Sequence, residues 1–94
     1  MKKASVPRPF AELLVREMHD TSVPHYDGWS KLIAPGWHIR RVGAVYRLEH
    51  GRTSVGEVVG IEADRHILAV TLGSGLLVGF PIREPKVVSN GVVA

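Results

Sequence analysis

Residues 48–66 read LEHGRTSVGEVVGIEADRH, and the fold depends on where this stretch turns and which of its side chains face inward. Upstream, Val42, Ala44, Tyr46 and Leu48 alternate with Gly43, Val45, Arg47 and Glu49, the period of a half-buried strand. A two-residue turn at His50-Gly51 then sets Glu49 opposite Arg52, Leu48 opposite Thr53 and Tyr46 opposite Val55. These are favourable cross-strand combinations, a charge pair and an aromatic against a β-branched residue. The same register carries Val59 and Ile61 onto the apolar face. A second turn at Ala63-Asp64 pairs Glu62 with Arg65, Ile61 with His66 and Val59 with Leu68. Glu57 is the misfit, because it falls on the face read as buried. Gly56 and Gly60 flank it, and glycines inside a strand mark bulges or sharp bends.

Further along, Gly73-Ser74-Gly75 closes a third hairpin that pairs Leu72 with Leu76, Val70 with Val78 and Leu68 with Phe80. Pro81 and Pro85 reduce ladder hydrogen bonding after it, and KVVS, residues 86–89, reads as a short last strand able to close a barrel. Towards the N-terminus, Phe10, Leu13, Leu14 and Met18 fall at helical spacing. Pro9 suits the first helical position, and Glu12 suits the positive end of the helix dipole. The sequence therefore predicts a basic tail over 1–8, a helix over 9–19, a long loop over 20–36 and a five-strand meander over 37–89. The expected fold class is mainly β: an N-terminal α-helix followed by a strongly bent, five-stranded antiparallel small barrel of the SH3-like kind.

Ninety-four residues suit one domain, 9–94, with one modest core. Apolar residues make up 45% and charged residues 22%, a globular balance far from that of disordered chains. The chain has no cysteine, which excludes thiol chemistry and disulfide staples and suits a reducing cytoplasm. MKKASVPRPF lacks the apolar run of a signal peptide. The uncharged stretch 67–82 is broken by glycines and a proline, so no membrane segment is expected. The net charge of +3 permits an anionic partner without requiring one.

The spacing of the opening stretch resembles the first motif of the Sm and Sm-like (LSm) proteins. There a leucine is followed by glycine three residues on, glycine five further, an acidic residue six further and asparagine four further. The positions here hold Leu48, Gly51, Gly56, Glu62 and His66, with histidine in place of asparagine. FPIREPKVV, residues 80–88, resembles the second motif through Ile82 and Arg83, with Glu84 where the family has glycine. The resemblance spans about 42–89 and implies a helix, a bent five-strand barrel, a ring-shaped homo-oligomer and single-stranded RNA bound at a loop rim. Carried over by position, that rim is Glu62, Asp64, His66 and Arg83. His66 and Arg83 suit base stacking or phosphate contact.

Other chemistry is sparse. No nucleophile elbow or phosphate loop is present. The five histidines, His19, His25, His38, His50 and His66, form no i, i+4 pair and have no thiolate companions. The reading is non-enzymatic, with no cofactor and no metal. An alternative uses Tyr26, Trp29 and Trp37, which concentrate aromatic area in the expected loop. They would serve an SH3-like adaptor as a groove for an extended protein segment, with no role for nucleic acid. Either reading implies self-association, because a bent sheet leaves edges to cover.

Overall fold

The computed structural model describes residues 5–85. It is mainly β with one helix: β1 (Val6–Pro7), α1 (Arg8–His19), β2 (Ser30–Ala34), β3 (Trp37–Val42), β4 (Val45–His50), β5 (Thr53–Ala63), β6 (Ile67–Leu72) and β7 (Leu77–Arg83). The expected helix over 9–19 is thus present within one residue. Among the described residues seven strands, against the five expected over the chain, form one mixed sheet in the order β1-β7-β6-β5-β4-β3-β2. All neighbours are antiparallel except β1, which runs parallel to β7. The two ends of the sheet are not joined among the described residues. The putting of 86–89 into a closing strand falls outside those residues.

Among the described residues β1 forms in the segment expected to be a basic tail, pairing with the end of β7, and two turns missing from the sequence reading account for β2 and for the separation of β3 from β4. The loop expected over 20–36 contains β2, which returns through Pro35-Gly36 to pair with β3. Gly36 has φ +83, a conformation that L side chains rarely adopt. The supposed single strand from Val42 to Leu48 is broken at Gly43-Ala44, where Val42 pairs with Val45. There Gly43 N donates to Asp27 Oδ1 at 2.7 Å.

The 48–66 stretch folds as two hairpins sharing one long strand, but in other registers than expected. The first turn is Gly51-Arg52, with His50 opposite Thr53 and Glu49 opposite Ser54. The second is a three-residue loop, 64–66, with Ala63 opposite Leu68, Glu62 opposite Ala69 and Ile61 opposite Val70. Glu49–Arg52 and Glu62–Arg65 are therefore not cross-strand pairs. The third hairpin has the expected register: Val70 opposite Val78 and Leu68 opposite Phe80, with Leu72 N donating to Leu76 O at 2.9 Å.

Two bulges explain Glu57. Val55 is an extra residue against β4, between Gly56 opposite Leu48 and Ser54 opposite Glu49. Val59 is extra against β6, between Val58 opposite Leu72 and Gly60 opposite Thr71. Each insertion shifts the alternation by one. The inward positions of β5 consequently run from Ile61 to Val58 and Gly56, while Glu57 and Val59 face solvent. Val59, expected inside, is 59% exposed. At Gly56 an added Cβ would lie 3.1 Å from Leu72 Cδ1, so β5 crosses the core where it carries no side chain.

The bent sheet wraps a core that includes Ile39, Leu48, Leu68, Val70, Leu72 and Phe80. Trp37 meets Phe80 edge to face, with centroids 5.2 Å apart, joining the β3 and β7 sides. α1 packs on it through buried Ala11 and Leu14, with Val15 and Met18 alongside. Leu13, expected on the apolar face, is 46% exposed. Phe10, Leu14 and Met18 pack on the core as expected, joined by Ala11 and Val15, so the apolar stripe departs from the expected one at Leu13 alone. His19 Nε2 donates to Ile61 O at 3.0 Å, which ties the helix end to β5.

Candidate functional site

The loop between β5 and β6 is built by Asp64. Its Oδ1 accepts from His66 N at 2.7 Å and Ile67 N at 2.8 Å, and its own N–H donates to Ile67 O at 3.0 Å. This side-chain turn is the usual use of aspartate in a tight loop. The two amide donors hold the Asp64 carboxyl below the ordinary carboxylate range. Ile82 N then donates to His66 O at 2.7 Å, which seats the end of β7 against the loop. Arg83 follows immediately, and its Nη1 lies 3.3 Å from both Ser5 O and Ser5 Oγ.

Three of the four rim candidates, Asp64, His66 and Arg83, thus share one end of the sheet. Glu62 lies on β5 two residues before the loop, opposite Ala69. All four residues are exposed. Asp64 is occupied within its turn, which leaves Glu62, His66 and Arg83 as the outward groups. Arg8 is a member that sequence reasoning placed in the tail. Its guanidinium donates to Glu84, to Arg65 O and, at 3.4 Å, to Asp64 O. Nothing in local spacing links residue 8 to residues 64, 65 and 84, so only the fold brings them together.

The aromatic candidates divide into separate clusters. Trp29 stacks on His25 at 4.1 Å, and both meet Tyr46 edge on. Trp37 stacks on His50 at 4.2 Å. Arg41 N donates to Trp29 O, so the two tryptophans sit by opposite ends of β3, roughly 13 Å apart at strand rise. Tyr26 is 72% exposed.

Two polar clusters escaped the sequence reading because they join residues across strands. His25 is buried, pairs through Nδ1 with Tyr46 Oη at 2.6 Å, and has Nε2 unpartnered, 3.8 Å from Glu17 Oε1. Glu49, opposite His38 in the ladder, accepts from His38 Nε2 at 2.8 Å and Arg40 Nη2 at 3.2 Å. Burial pushes the Glu49 carboxyl up, but the His38 and Arg40 bonds and charges outweigh it and leave it below its ordinary range. Among the described residues no group of three or more histidine, cysteine, aspartate or glutamate side chains is placed to hold a metal. No described helix is long and apolar enough to cross a membrane.

These features define a small mainly-β protein, with a helix-capped bent sheet and a loop rim of mixed charge. No family model, curated protein or solved structure matches the chain.

Proposed function

We propose that the chain is an Sm-like, non-enzymatic module that self-associates and binds single-stranded RNA at the rim formed by Glu62, the Asp64–His66 loop and Arg83. The observation that carries this reading is the 2.7 Å bond from Ile82 N to His66 O. It brings the end of the first resembling motif beside the Ile82-Arg83 step of the second, although they are separated by the whole β6–β7 hairpin. In this arrangement Asp64 positions the loop, His66 offers a ring for stacking, Arg83 offers a planar cation, and Glu62 accepts hydrogen bonds from a base edge. Arg8, Arg65 and Arg83 are accompanied by Glu62, Asp64 and Glu84. That balance favours stacking over phosphate contact, and so a shallow dependence on salt.

The test is fluorescence anisotropy of labelled uridine-rich and adenine-rich single strands with the full chain. His66→Ala and Arg83→Ala are each expected to weaken binding roughly tenfold, towards the low end of what one lost base stack costs. Absence of binding by the wild type at low and moderate salt removes the proposal. The adaptor reading draws support from the exposure of Tyr26 beside the His25–Trp29–Tyr46 cluster. It needs only one of the two tryptophan clusters, since Trp29 and Trp37 do not share a surface.

A further inference from the structure

Ile39 and Leu48 face each other across β3 and β4 with their side chains in the core. Their neighbours Arg40 and Arg47 are likewise directly opposite, and alternation turns both to the outer face of the sheet. Like charges in that position, with Cβ atoms about 5 Å apart, repel and destabilise the ladder. The surroundings anchor both side chains but neutralise only one. Glu49, whose side chain is only 11% exposed, accepts from Arg40 Nη2 at 3.2 Å and from His38 Nε2 at 2.8 Å, so both of its oxygens are engaged. Arg47 Nε donates instead to a neutral acceptor, Ser54 Oγ, at 3.0 Å. Glu57 stands opposite Arg47, yet among the described residues no carboxylate lies within ion-pair distance of Arg47.

This leaves a set of donors on one patch. Arg40 Nε and Nη1, both terminal nitrogens of Arg47 and the Ser54 hydroxyl hydrogen have no acceptor among the described residues. The Arg40 side chain is 48% exposed, and Ser54 beside Arg47 is exposed as well. A carboxylate fills a single guanidinium fork, whereas a phosphate group has oxygens enough for two. We infer that Arg40, Arg47 and Ser54 form a phosphate-binding clamp on the outer face of β3, β4 and β5. The bonds to Glu49 and Ser54 hold the guanidiniums in advance, which lowers the ordering cost of binding. A phosphate between the two forks also relieves their cross-strand repulsion. The clamp shares no residue with the rim of Glu62, Asp64, His66 and Arg83, so it stands or falls separately from RNA binding there.

The test follows the arginine Nε–H signals of the full chain by NMR at constant ionic strength, with inorganic phosphate and dimethyl phosphate as probes and chloride as the control. The Arg40 and Arg47 signals are expected to shift saturably with inorganic phosphate. Saturation by dimethyl phosphate as well extends the clamp to phosphodiesters, and saturation by inorganic phosphate alone restricts it to terminal phosphates. Arg47→Lys keeps the charge but loses the fork, and is expected to weaken phosphate binding about tenfold, the worth of one charge-assisted hydrogen bond. Glu57→Gln removes the exposed carboxylate opposite Arg47 and is expected to tighten binding about twofold. It keeps the test open should Arg47→Lys fail to fold. Unsaturated shifts, equal shifts with chloride, equal phosphate affinity in wild type and Arg47→Lys, or weaker binding by Glu57→Gln would each overturn the inference.

Discussion

Gly56 and Gly79 lack a side chain for the same reason but with different tolerances. A Cβ at Gly79 would lie 3.0 Å from Ile67 Cγ2, and one at Gly56 would lie 3.1 Å from Leu72 Cδ1. Ile67 is 42% exposed and free to rotate away, whereas Leu72 is buried among core neighbours. Gly56→Ala is therefore expected to cost about 1–3 kcal/mol, the usual penalty for overpacking, and Gly79→Ala clearly less. Urea midpoints of the two variants decide this. At Tyr46 the hydroxyl supports a buried histidine. Tyr46→Phe strands His25 Nδ1 as well as Nε2 and is expected to cost about 1–3 kcal/mol, again read from the urea midpoint. Glu49 sets a pH dependence. Its folded pKa is depressed below the ordinary value of 4.5, so its stabilisation is complete above the unfolded pKa and is lost as pH falls through the folded one. Wild type should exceed Glu49→Gln in stability at neutral pH and lose that advantage in acid. An advantage unchanged between neutral and acid unfolding curves would contradict this account.

Among the elements, α1 and β5 show how tertiary contacts select between nearly equivalent patterns. Leu13 and Leu14 look alike in sequence, but only Leu14 is enclosed, with 0% exposure. Leu14→Ala is expected to cost about 2–5 kcal/mol as a core truncation, and Leu13→Ala to stay within about 0.5 kcal/mol as a surface change. Equal losses in thermal or urea unfolding would place the buried stripe elsewhere. In β5, the anomaly at Glu57 reported a real irregularity. A residue of the wrong polarity in an alternating strand means that the alternation slips nearby, and here the slip is the Val59 bulge. The flanking glycines indicated a bend without locating the inserted residue. Bulge position depends on which partner strand takes over the ladder, since β5 pairs with β4 through its first half and β6 through its second.

For the whole molecule, the sheet edges left unpaired among the described residues have consequences for assembly. β1 pairs with β7 only at Ile82 and Arg83, so the Leu77–Pro81 edge has no partner among the described residues, and Leu76 and Leu77 beside it are 54% and 61% exposed. Self-association through this edge accords with the proposed ring, and light scattering is expected to give a mass several times 10.3 kDa. A monomer at micromolar concentration would leave the rim without the symmetry that a ring site needs.

The sequence by itself determined the mainly β character, the amphipathic helix and the third hairpin. Each of these follows from local periodicity and from turn residues a few positions apart. The family resemblance also named Asp64, His66 and Arg83, which the fold brings to one end of the sheet, but gave no sign of Arg8 beside the Asp64 loop. Only the tertiary structure decided the seven-strand count, the registers on either side of β5 and the inward set Ile61, Val58 and Gly56. The physical reason is that a bulge changes side-chain phase at small local cost, so alternation alone cannot locate it. What locates it is the packing of Leu48 and Leu72 around Gly56, a contact between strands that no local pattern contains.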